Sequence, residues 1–115
     1  MDYSSAYALA GNIRTSEEYQ TYHALKEEVM GDETTAALVR EYRKLQVELQ
    51  MVSLNGGQPD AEDMQRFSGI STLLFSKQEV SQFVLAEMRI QQMLGDIFKI
   101  VTEAADIEVT LPGMG

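Results

Sequence analysis

Leu38, Tyr42, Leu45, Leu49 and Val52 recur at alternating intervals of four and three residues. Phe83, Ile90, Leu94, Ile97, Val101 and Ala104 keep the same rhythm later in the chain. This is the spacing of an apolar seam along a helix that packs lengthwise on a partner. No Gly or Pro falls between Thr34 and Leu54, and Gly95 is the one mild interruption between Ser76 and Ala105. Two long helices are therefore predicted over those spans. Asn55-Gly56-Gly57-Gln58-Pro59 separates them, because glycine at a helix end adopts the left-handed turn and proline cannot continue the backbone ladder.

Shorter elements fill the rest. Ala6 to Ile13 reads as a first helix with Ser4 and Ser5 as caps. Thr15-Ser16-Glu17-Glu18 has the capping-box form and opens a second helix from Ser16 to about Met30, striped by Tyr19, Tyr22, Leu25 and Val29. Gly31 ends it with a residue free to take positive φ, and Asp32 caps the first long helix. Pro59-Asp60 restarts the chain into a helix reaching about Phe75, with Met64, Phe67, Ile70 and Leu74 as its stripe. Gly69 inside it lowers helix propensity by about 1 kcal/mol relative to Ala. Ser76-Lys77-Gln78-Glu79 repeats the capping-box pattern ahead of the last helix. The stretch 106–115 alternates apolar and polar residues before Pro112 and Gly113, which suits an extended tail. The expectation is an all-α bundle with two long antiparallel helices, one domain over 1–105 and a tail over 106–115.

Composition narrows the function. With 18 acidic against nine basic residues, the chain carries a net charge of −9. Binding to nucleic acid or to anionic membranes needs the opposite sign, so both are disfavoured. The absence of Cys excludes disulfides, thiolate nucleophiles and Cys-ligated metal sites within the chain. No run is long and apolar enough to span a bilayer and the start is acidic rather than leader-like, so a cytoplasmic protein is expected.

No residues converge on chemistry. His23 is the single histidine, and the Glu-x-x-His pairs of di-iron bundles do not occur, so it reads as a packing or surface residue. Glu17-Glu18, Glu27-Glu28 and Asp60-Glu62-Asp63 lie at helix starts or on polar faces, where solvation and the helix dipole account for them. Met51, Met64, Met88 and Met93 read as gap fillers of a core more than as a binding surface. Catalytic, cofactor and metal residues are therefore expected to be absent. Arg40, Arg43 and Lys44 form a local basic cluster beside the first seam, read as a salt-bridging rim, with a nucleic-acid-binding regulator as the alternative. The apolar width of the last helix, where Val84, Met88, Phe98 and Ala105 lie off the main stripe, asks for more cover than the short helices supply. A homodimer or higher oligomer through the long helices is expected, with Arg43, Glu87 and Arg89 as candidate partner-docking residues flanking the seams.

Ser16-Glu17-Glu18-Tyr19-x-x-Tyr22, Tyr42-Arg43-x-Leu45-Gln46 and Ala86-Glu87-x-Arg89-x-Gln91-x-x-Leu94-x-x-Ile97 together resemble the YlbF/YmcA family of small bacterial helical proteins, over about Ala6 to Ala105. The resemblance implies a bundle with long antiparallel helices, self-association or assembly with sister members, and a regulatory role without enzymatic activity. It further implies control of competence, sporulation and biofilm formation, and accessory action with the endoribonuclease RNase Y. Some members carry a Cys-rich C-terminal tail connected with iron–sulfur binding, whereas Ile107 to Gly115 here contains no Cys. Cluster binding through this tail is therefore not expected.

Overall fold

Asp2 accepts hydrogen bonds from the Ser4 backbone N–H at 2.9 Å and the Ser4 hydroxyl at 2.7 Å, and the first helix starts on that cap. The structure is a computed structural model and describes residues 1–107. Among these residues it is all-helical, with α1 (Ser4–Thr15), α2 (Glu17–Gly31), α3 (Glu33–Leu54), α4 (Ala61–Phe75) and α5 (Gln78–Ala105). Positions 108–115 of the expected extended tail lie outside the described residues.

The breaks between helices are built from short polar residues and glycine. Asp32 caps α3, accepting from the Thr35 backbone N–H at 3.2 Å and the Thr35 hydroxyl at 2.5 Å. Asp60 caps α4 by accepting from the Glu62 N–H at 3.2 Å. Gly56, at φ 77°, closes α3 by donating to the Ser53 carbonyl while Gly57 donates to that of Val52. This pair of bonds is the Schellman arrangement, and it satisfies carbonyls that the helix end leaves open.

Three local expectations need correction. Thr15 is the last residue of α1 rather than the cap of α2, and its hydroxyl donates back to the Gly11 and Asn12 carbonyls. The cap is Ser16, whose hydroxyl oxygen accepts from the Tyr19 N–H at 3.2 Å. That choice puts Tyr19, not Glu18, three residues after the cap, so no carboxylate completes a box. Ser76 likewise turns its hydroxyl back to the Leu73 carbonyl of α4 at 2.7 Å, because its backbone is still helical at φ −71° and ψ −19°. Gly31 is the final residue of α2, but the described glycine with positive φ is Gly56.

The chain falls into two compact units, Leu25–Gln82 and Met1–Ala24 together with Phe83 onward. Within Leu25–Gln82 the buried side chains are Val29, Thr35, Ala36, Val39, Leu45, Leu74 and Val80. Here α3 and α4 form an antiparallel hairpin. Tyr42 stacks on Phe67 with ring centroids 5.0 Å apart and meets the edge of Phe75 at 5.6 Å. Glu41 and Arg66 add an ion pair at 3.5 Å, exposed enough to contribute at most about 1 kcal/mol. In the other unit Phe83 and Ala86 are buried, and the Phe83 ring stacks on Tyr22 at 5.7 Å.

Candidate partner-docking surface

Each seam is buried over part of its length and open over the rest. On α3, Leu45 is buried, Leu38, Tyr42 and Leu49 are half-buried, and Val52 is at the surface. On α5, Phe83 is buried, Ile90 and Ile97 are half-buried, and Leu94 and Val101 are exposed. No residue of α5 after Ala86 is buried among those described. The α5 stripe thus keeps its apolar character for some five helical turns beyond the point where burial ends. Periodicity identifies which face of a helix is apolar; it does not say what lies against that face.

The C-terminal half of α3 and the start of α4 enclose an apolar groove of about 560 Å³ within the hairpin. Leu49, Leu54, Pro59, Met64 and Phe67 form its walls, and Gln46, Gln50 and Ser53 its rim. Such a lining offers shape and apolar area and no ionisable side chain. A second, smaller cleft of about 180 Å³ brings Arg89 of α5 alongside Glu17, Glu18 and Thr21 of α2, over Ala86. Two carboxylates and a guanidinium in an exposed cleft complement one another electrostatically.

The three candidate docking residues fall in different settings. Arg89 lines that polar cleft, Glu87 is half-buried, and Arg43 is exposed on α3. Both Glu87 and Arg43 have interactions within the fold. Arg40 and Lys44 are exposed alongside Arg43. His23 stacks on Tyr19 with ring centroids 5.6 Å apart, a packing contact within α2. Among the described residues no three His, Cys, Asp or Glu side chains gather to hold a metal ion, and no helix is long and apolar enough to cross a membrane.

Sequence reasoning placed Met88 off the main stripe of α5 but missed the row it shares with Leu85, and missed a second row on α3 altogether. Val47, Met51 and Leu54 on α3 and Leu85 and Met88 on α5 are all more than half exposed. They recur at intervals of three and four, so a count of apolar residues away from the main seam would have found them.

Comparison with known proteins agrees with the family resemblance read from the sequence. Residues 3–105 match the family model described as control of competence regulator ComK, YlbF/YmcA. A UPF0342 protein of Symbiobacterium thermophilum is 27% identical over 93% of this chain and 96% of its own length. A UPF0342 protein of Halothermothrix orenii is 30% identical over 94% and 92%. A third, of Alkalihalophilus pseudofirmus, is 33% identical over 88% and 86%.

Proposed function

This chain belongs to the YlbF/YmcA family, and from that membership we propose a non-enzymatic regulatory adaptor that works by self-association and by docking to other proteins. The observation that carries the reading is the exposed apolar surface of the long helices. Leu54 is 82% exposed, Ile100 66% and Val101 56%, within helices whose opposite faces are already buried or half-buried. Rows of exposed apolar residues along a helix mark a site of protein contact more often than single scattered ones do. The lining of the α3–α4 groove supports the same reading, since it offers hydrophobic anchoring and little else.

Finer expectations belong to this proposal. The long helices run antiparallel in a dimerising bundle, the protein works in the cytoplasm, and its partners are family paralogues or a ribonuclease complex, with control of competence, sporulation or biofilm formation as the outcome. The family description names control of a competence regulator, which supports a regulatory role. The test is affinity capture of the tagged full chain from its source cell together with sedimentation of the pure protein. Recovery of a ribonuclease complex or a paralogue, and a sedimenting species larger than one chain, is the expected result. A monomer at micromolar concentration that captures neither would end the proposal.

A further inference from the structure

The outward faces of α3 and α5 carry the same ingredients in opposite order. Along α3, Arg40, Arg43 and Lys44 come first, and Val47, Met51 and Leu54 follow on the same face at intervals of three and four. Along α5, Leu85 and Met88 come first, then Gln92, then Asp96, Lys99 and Glu103, again at intervals of three and four. All of these side chains are exposed. The α3 face gathers three of the chain's nine bases into five positions.

We propose that the outer face of α3 docks antiparallel on the outer face of α5 of a second copy, in the register that sets Met51 against Met88. This specifies the surface used in the self-association proposed above and rests on that reading. The same register sets Leu54 against Leu85 and brings Arg43 and Lys44 level with Asp96. Lys44 to Met51 spans about 10 Å along the axis and Met88 to Asp96 about 12 Å at 1.5 Å per residue, so apolar and charged contacts form together. A parallel register that lays Arg40 and Arg43 on Leu85 and Met88 sets Asp96 on Met51, which desolvates charge against hydrocarbon. The occupant is a second copy because α5 of the same sequence offers, in the reverse order, the apolar pair Leu85 and Met88 to match Leu54 and Met51 and the acid Asp96 to match Arg43 and Lys44. An anionic surface would attract the three bases but would repel Asp96 and Glu103 and leave the α5 row uncovered.

One detail of the register makes it testable in both directions. Arg40 falls level with Lys99, a like-charged juxtaposition that lies one turn short of Glu103. Each chain offers one face of each kind, so the contact is made twice across a two-fold axis or passes from chain to chain. The experiment is sedimentation velocity of the full chain over a micromolar concentration series, with circular dichroism to confirm that each variant keeps its helices. Arg43→Glu/Lys44→Glu and, separately, Asp96→Lys should each weaken self-association on the order of tenfold. Combining the three substitutions in one chain should restore it, and Lys99→Glu should strengthen it. Wild-type self-association that ignores these substitutions, or a combined variant no better than its parents, overturns this contact and leaves self-association standing. A wild-type monomer throughout the series overturns both.

Discussion

Asp32 joins a titrating group to the start of the first long helix. Its carboxylate accepts from the Thr35 hydroxyl and the Thr35 N–H, and these bonds, the hydroxyl foremost, hold its pKa below the ordinary value of 3.8; Lys77 adds a smaller pull in the same direction. Desolvation opposes the shift and loses. A depressed carboxylate stabilises the fold above its unfolded pKa, and that contribution disappears as pH falls through the lower folded value. The Asp32→Asn protein should therefore lose less thermal stability than wild type between about pH 5 and pH 2, as followed by helical circular dichroism. Asp32→Ala should melt lower than wild type at neutral pH, because the N–H and the hydroxyl of Thr35, itself 2% exposed, would both lose their acceptor. Equal pH dependence of wild type and Asp32→Asn would show that the cap does not discriminate between native and unfolded chains.

Two helix ends in this molecule make the same turn with different residues. At the end of α3, Gly56 takes positive φ, and at the end of α5 Asp106 does so at φ 54°. Asp106 donates to the Glu103 carbonyl and Ile107 to the Thr102 carbonyl, which reproduces the bonding of Gly56 and Gly57. A side chain costs energy in this conformation and glycine does not. Gly56→Ala should thus destabilise by about 1 kcal/mol, although nothing lies within 4 Å of the added methyl. Asp106→Gly should stabilise by about 0.5 kcal/mol, since it also removes a negative charge from the negative end of the helix dipole. Urea midpoints of the two variants check both signs, and a neutral Gly56→Ala would refute the conformational argument. The same turns explain what was legible from sequence. Glycine, proline and acidic caps mark where helices stop and start, so all five helices and most of their ends could be read to within a few residues. Ser16 and Thr15 are chemically similar neighbours, and only the backbone decides which of them caps. Leu94 and Val101 obey the same periodicity as Phe83 yet stand exposed, because cover depends on neighbours that spacing does not record. For the candidate surface, Arg43 and Arg89 were legible as exposed charges, whereas of the second apolar rows of α3 and α5 only Met88 was set apart from the dominant seams.

At the scale of the whole molecule, the proposed self-association would couple folding to concentration. If copies associate through the exposed apolar rows, the melting temperature should rise as protein concentration rises, because association draws on the native state alone. A tenfold concentration series by scanning calorimetry at moderate salt checks this, and a constant midpoint would show that no self-association is linked to folding over that range. The division of the chain into units bears on another event as well. Leu25–Gln82 is continuous, whereas its companion is assembled from both ends, with Tyr22 and Phe83 stacked across 61 positions. During synthesis every residue of the continuous piece is joined to the chain before Phe83. Tyr22 must then wait without its partner ring until translation has delivered Phe83.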